Sequence, residues 1–261
     1  MNNHLPMILK SGQFHHWEEK DGLYALVNGR EAFFATEREL VSGDRGAFDR
    51  FFDAERDYRR ARETVLASED LRDLAPYLGL RILRQDPWEA MVGFILSANN
   101  NLVRIRRTVL ALAARYGDCL KSAGGLSAYA LPDPARTASL SAEELRALGA
   151  GYRDRYLIGA ARMIAEGSFD IEAAYRLSYP EAKRYLMRLP GVGKKVADCI
   201  LLFGYGKLDA FPVDVWIEKA MARFGTFPSR EATSAYGMAR FGGDAGYIQQ
   251  LLFMYEREKK S

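Results

Sequence analysis

Two amphipathic segments of this chain, over 178–188 and 194–203, are separated only by Leu189-Pro190-Gly191-Val192-Gly193. Pro190 has no amide hydrogen and its ring clashes with the preceding turn, so no helix runs through it. The glycines on either side of Val192 accept backbone conformations that a Cβ forbids. The chain must reverse here and open a second helix at once, which makes a helix–hairpin–helix. The first-turn amides of that second helix have no carbonyl partner and face out of the turn, as donors suited to a phosphate. A plain αα-hairpin without a ligand satisfies the same pattern, so the turn alone leaves both readings open.

The residues that follow narrow the choice. Lys195 falls in the first turn of the second helix, and Cys199, four residues on, shares its face. Lys194 lies on a neighbouring face, at the spacing of an ion pair with Asp198, while Val196, Ile200 and Phe203 form the core stripe. Asp214 comes nineteen residues after Lys195, in Phe211-Pro212-Val213-Asp214-Val215-Trp216, where a helix over 214–224 opens. Capping that helix is one role open to it.

The rest of the chain divides in two. Residues 13–41 alternate apolar and polar, with Asn28-Gly29 between two apolar runs, which predicts an antiparallel hairpin turning on those two residues. From about residue 50 the apolar spacing becomes helical, over 88–97, 102–116, 153–166, 178–188, 194–203, 214–224 and 245–258. The fold class expected is α+β, mostly α. A small N-terminal antiparallel sheet domain (1–66) precedes a helical domain (67–261) that carries the hairpin at about 178–203.

Composition closes several routes. Apolar residues at 48% and charged residues at 27% belong to a folded rather than a disordered chain. Lys plus Arg at 37 against Asp plus Glu at 34 gives +3, which permits a nucleic-acid partner without arguing for one. Two cysteines, Cys119 and Cys199, cannot build a disulfide framework or ligate an iron–sulfur cluster, and no required cofactor is expected. No apolar run reaches the roughly 18 residues of a membrane span, and the N-terminus has no signal-peptide core. A cytoplasmic protein without membrane contact is expected, nucleoid-associated if prokaryotic.

Helix, Leu-Pro-Gly-Val-Gly, helix, then Pro-Val-Asp after a glycine-containing loop resembles the helix–hairpin–helix (HhH-GPD) DNA glycosylase superfamily. The string from Leu189 to Cys199 is similar to the signature of its 8-oxoguanine DNA glycosylase/AP lyase family. Arg84-Gln-Asp-Pro87, Ser97-Ala-Asn-Asn-Asn101, Leu148-Gly-Ala-Gly-Tyr-Arg153, Ser11-Gly-Gln13 and the stretch from Ala245 to Phe253 extend the resemblance over most of the chain. It implies a monomer acting on double-stranded DNA that contains oxidised guanine. The implied reaction is excision of 8-oxoguanine, preferentially opposite cytosine, through a lysine Schiff base, with β-elimination at the resulting AP site. Lys195 stands at the catalytic lysine position and Asp214 at that of the assisting carboxylate. Gly12, Cys199, Gln249 and Phe253 match the base pocket. Asn99, Arg104, Tyr152 and Arg153 match the residues that fill the gap left by the flipped base and read the opposite cytosine. Gly191, Gly193 and Lys194 match phosphate contacts of the hairpin, and the carbonyls of Met187, Leu189 and Val192 a monovalent cation site. Trp216 departs from the eukaryotic members, which carry histidine there; an indole stacks but accepts no proton.

The chemistry asks for a neutral amine, and a free lysine is neutral about one time in a thousand near pH 7.4. Burial, the adjacent Lys194 and the positive helix N-terminus are all expected to favour the neutral form of Lys195. A monofunctional alkyl-base glycosylase would use the aspartate without a lysine, and a non-catalytic hairpin module has no use for Lys195 and Asp214 together. An endonuclease III type would need four C-terminal cysteines. Taken alone, Asn99-Asn100-Asn101 also suits a helix cap and turn, and Gln249 with Phe253 suits core packing.

Overall fold

A computed structural model describes residues 4–259. In chain order it contains α1 (Leu5–Lys10), strands β1 (Trp17–Lys20), β2 (Leu23–Asn28), β3 (Glu31–Ala35) and β4 (Leu40–Ser42), then α2 (Arg45–Phe51), α3 (Arg59–Ala67), α4 (Pro87–Ser97) and α5 (Leu102–Tyr116). A hairpin of β5 (Cys119–Ala123) and β6 (Leu126–Tyr129) interrupts the helices. There follow α6 (Pro134–Ala138), α7 (Ala142–Ala147), α8 (Asp154–Ala165), α9 (Ala173–Arg176) and α10 (Tyr179–Leu186). The last helices are α11 (Lys194–Gly204), α12 (Val215–Met221), α13 (Arg230–Phe241) and α14 (Ala245–Glu258). The architecture is α+β and mostly α, as expected.

The four N-terminal strands form one antiparallel sheet in the order β1-β2-β3-β4. The β2–β3 turn sits one residue later than the sequence suggests. Asn28 still pairs with Glu31, and Gly29 alone takes a positive φ, 63°, so the two central residues are Gly29-Arg30. Asn28 instead ties the hairpin to the helical part: its Oδ1 accepts from the Asp86 amide at 2.7 Å and its Nδ2 donates to the Arg84 carbonyl at 3.2 Å. Asp86 in turn caps α4 through the amides of Trp88 and Glu89, with Pro87 at the first helical position.

β5 and β6 were not expected from the apolar spacing. They cover the outer face of the sheet, where Leu126 and Ala128 pack with Ala25, Val27 and Phe34. Tyr24, Leu26 and Phe33, on the opposite face, join a main core that runs from Leu5 to Met254 and so includes residues on both sides of position 66. Helix α4 is the centre of that core, with every residue from Pro87 to Leu96 buried. It packs on α11, whose Gly204 comes so close to Ala90 that a Cβ there would lie 3.0 Å from the alanine methyl. Phe94 and Phe203 stack between the two helices at 5.3 Å.

Candidate active site

The hairpin begins with α10, started by a Ser178–Glu181 capping box. Gly191 turns the chain with φ at 79°, and a Cβ there would sit 2.7 Å from the Tyr156 side chain, so glycine is required twice over. Gly193 precedes α11 without a side-chain cap, and a Cβ on it would meet nothing within 4 Å. The first turn of α11 thus starts with no side-chain cap and with open space over Gly193.

Lys194 and Lys195 diverge from this turn. Lys194 is exposed and forms an ion pair with Glu231 at 2.7 Å, not the expected one with Asp198. Asp198 faces α10, where it accepts from Tyr179 Oη at 2.6 Å and Lys183 Nζ at 2.8 Å. Lys195 turns inward and lines a cavity of about 500 Å³, a size suited to one small ligand. Cys199, Asp214, Gly12, Gln249 and Phe253 line the same cavity, so the structure brings together both expected catalytic residues and all four expected pocket residues.

Each wall is fixed by its own element. Asp214 caps α12, accepting from the amides of Trp216 and Ile217 at 3.0 Å; both bonds use Oδ1, and Oδ2 takes no part in the cap. The capping role and a place in the cavity thus coexist. Gln249 and Phe253 project from α14 one turn apart. Gln249 donates through Nε2 to the Pro212 carbonyl at 3.1 Å, while its buried Oε1 has no partner among the described residues. Gly12 has φ at 80°, and a Cβ there would crowd Leu102 at 3.1 Å and Phe253 at 3.2 Å. Its loop is held by Gln250, which donates to the Ser11 carbonyl at 2.7 Å, and by the buried Gln13, which donates to the Ser11 hydroxyl at 2.9 Å and the Arg81 carbonyl at 2.9 Å.

The protonation of Lys195 differs from the expectation. Burial works to lower its pKa, but Cys199, to which Lys195 hydrogen-bonds, and then Asp214 more than offset this, and the net shift is upward. Lys194, expected to oppose this, turns away to Glu231 instead. Burial pushes the Cys199 thiol up to about 11, so it is uncharged at neutral pH and Asp214 is the carboxylate facing the Lys195 ammonium. The surroundings of Lys195 thus favour its protonated form rather than the neutral amine expected from the sequence.

Of the second group of expected residues, Tyr152 and Arg153 close on the Ala98–Asn99 turn that precedes the cavity residues Asn100 and Asn101, and Arg104 lies in the first turn of the helix that follows. Asn99 is exposed with φ at 48°. Asn101 caps α5 by accepting from the Arg104 amide at 3.0 Å, and the Arg104 side chain is exposed. Tyr152 is 46% exposed, an unusual position for a tyrosine, and its hydroxyl reaches the Ala98 carbonyl at 3.2 Å. Arg153 is buried, and its guanidinium holds the carbonyls of Ala98, Asn99 and Ala150. It braces the Asn99 turn.

Several cavity residues escaped the sequence reading: His15, Phe94, Leu102, Gln250 and Arg257. Gln250 carried one signal, a second amide next to Gln249. Trp216 also lines the cavity, and Lys219 Nζ lies 5.2 Å from its ring.

Comparison with known proteins identifies the family. Residues 92–238 match the family described as HhH-GPD superfamily base excision DNA repair protein. An N-glycosylase/DNA lyase of Saccharomyces cerevisiae is 36% identical over 156 residues, 56% of this chain but only 42% of the yeast protein. A probable N-glycosylase/DNA lyase of Methanothermobacter thermautotrophicus is 34% identical over 232 residues, covering 80% of this chain and 72% of that one. Among solved structures, Clostridium acetobutylicum 8-oxoguanine glycosylase/lyase in complex with dsDNA containing cytosine opposite 8-oxoG superposes with a TM-score of 0.90 at 29% identity, over 100% of this chain and 94% of that one. The chain belongs to the HhH-GPD superfamily of base excision DNA repair proteins and, within it, to the N-glycosylase/DNA lyases.

Proposed function

We propose that this chain excises 8-oxoguanine from double-stranded DNA and then cleaves the strand at the abasic site. The observation that carries the reading is Lys195, Asp214, Gly12, Cys199, Gln249 and Phe253 on one cavity. A base in a duplex cannot reach Lys195, so the nucleotide must swing out into the cavity. The Lys195 amine then attacks C1′; the bond from C1′ to the base breaks, and its electron pair leaves with the base, which takes up a proton. Loss of the amine proton and opening of the sugar give a Schiff base. Removal of a C2′ proton then expels the 3′ phosphate, and water releases the enzyme. Asp214 holds the positive charge that develops on the sugar.

8-Oxoguanine differs from guanine by an oxygen at C8 and a proton at N7. A carbonyl acceptor, the role we give the Gly12 backbone, bonds to that N7 proton and is repelled by the lone pair that guanine has there. The unpartnered Oε1 of Gln249 suits a donor on the base's Watson–Crick edge, and Phe253 and Cys199 suit its two faces. Asn99, Arg104, Tyr152 and Arg153 support filling of the vacated stack and a preference for cytosine opposite. The amides at Gly191, Gly193 and Lys194 suit a DNA phosphate. The Met187, Leu189 and Val192 carbonyls, at the negative end of α10, suit a monovalent cation beside it. We read the working unit as a monomer.

A duplex holding one 8-oxoguanine opposite cytosine, incubated with and without borohydride, tests substrate and covalent chemistry together. Base release with a trapped adduct is expected; release without trapping fits a glycosylase that does not use Lys195 as nucleophile.

A further inference from the structure

His15 lies in the extended segment between Gly12 and β1 and reaches the same cavity as Lys195. It is 5% exposed, and its Nε2 is buried without a hydrogen-bond partner among the described residues. Polar atoms left unpaired in a core are rare, and each asks for a reason. The ring is held firmly: it meets Phe94 edge-on at 5.9 Å, and its Cδ2 corner presses on Gly93, where a Cβ would lie 3.0 Å away. Lys195 Nζ lies 5.7 Å from the centre of that same Phe94 ring, so the two side chains share one aromatic support.

We propose that His15 is a positioning residue for Lys195: its unpaired Nε2 accepts a hydrogen bond from the lysine nitrogen as the side chain leaves Cys199, and so aims the nitrogen lone pair at C1′. This rests on the reading of Lys195 as the nucleophile. Burial, followed by the charges of Lys195 and Arg106, holds the imidazole pKa down at about 3, so the ring is neutral at physiological pH. With the proton on Nδ1, Nε2 is a pure acceptor. The other ionisable groups acting on the pair are Cys199 and Asp198 on α11, Asp214 at the start of α12 and Arg106 on α5. None of these supplies a neutral acceptor in a fixed ring. A lone pair needs such a partner to attack from one direction.

The test compares His15→Phe, which keeps the ring and removes the nitrogen, with His15→Gln, which restores an acceptor. Single-turnover excision and borohydride trapping are followed from about pH 5 to about pH 9 on an 8-oxoguanine:cytosine duplex. His15→Phe should lower the plateau rate about tenfold to a hundredfold. An acceptor stabilises the ammonium, so its loss should also move the rising limb of the profile to lower pH. His15→Gln should regain most of the rate and the original limb. Melting temperatures check the fold, and His15→Met replaces the phenylalanine variant if that one does not fold. A wild-type rate and profile in His15→Phe overturns the proposal. So does a slower enzyme whose limb is unmoved and which glutamine does not rescue, because that is the mark of packing. Trapping that persists in Lys195→Gln overturns instead the nucleophile reading beneath it.

Discussion

The cavity and the Asn99–Arg153 surface beside it are prepared to different degrees. In the cavity, Gln249 is anchored on Pro212, Asp214 keeps Oδ2 out of its cap, and Gln250 pins the Gly12 loop. The acceptor Gln249 Oε1 waits unpaired. On the neighbouring surface the hydrogen bonds close on themselves: Arg153 holds the carbonyls of Ala98 and Asn99, and Asn101 caps α5. On the proposed function, a flipped base would meet groups already held in place, whereas an opposite base would compete with bonds the protein already makes. Damage recognition is therefore expected to be more rigid than opposite-base recognition.

The sharpest contrast lies within the cavity's own turn. Lys195→Gln should abolish borohydride trapping, while Lys194→Gln, which loses only the exposed pair with Glu231, should keep most of it. Asp214→Asn should slow turnover by orders of magnitude with little loss of melting temperature, because asparagine caps a helix about as well as aspartate. A large drop in melting temperature would place its role in the fold. Next come Gln249→Ala and Phe253→Ala, each expected to cut 8-oxoguanine excision about tenfold to a hundredfold, the effect of roughly 1–3 kcal/mol of lost contact. Cleavage of a preformed abasic site should stay largely intact, and a parallel fall in both activities would make these residues structural supports.

Opposite-base effects should be smaller and softer. Excision should run faster opposite cytosine than opposite adenine, and Arg153→Ala should narrow that difference while leaving abasic-site cleavage in place. Equal rates opposite all four bases would confine Arg104 and Arg153 to backbone contacts. A separate effect is on stability. His15 has its pKa lowered to about 3 in the folded chain, against about 6.5 unfolded, so the unfolded state binds the extra proton between these values. Its contribution is complete above about pH 6.5 and is lost as pH falls toward 3. Wild-type melting temperature should therefore fall more steeply than that of His15→Phe on acidification from about pH 7 to about pH 4.

The helices that carry chemistry were legible because their spacing is strong: 88–97, 102–116 and 194–203 appear within a residue or so of the expected bounds. Helix α13 was not, because its buried face is made of small residues such as Thr233, Ser234 and Gly237. Gly237 comes so close to Phe211 that a Cβ would lie 2.7 Å from the ring, a fit invisible to hydrophobic periodicity. β5 and β6 were hidden because only Leu126 and Ala128 of β6 are buried, too few for an alternating signal. Lys195, Asp214 and the pocket residues could be named only because a whole ordered string resembled a family. The direction in which Lys194 points, and the proton on Lys195, depend on Glu231 and Cys199, which the chain brings up by folding.

The bond from Gln250 to the Ser11 carbonyl joins residues 239 positions apart. On a ribosome the N-terminal segment emerges first, at about 5–20 residues per second, and waits many seconds for its partner helix. Until α14 is released, the Gly12 loop has neither Gln250 to hold it nor Phe253 to pack on. On the function proposed above, base recognition therefore waits for α14, whereas the Lys195 hairpin lies wholly in chain made before it.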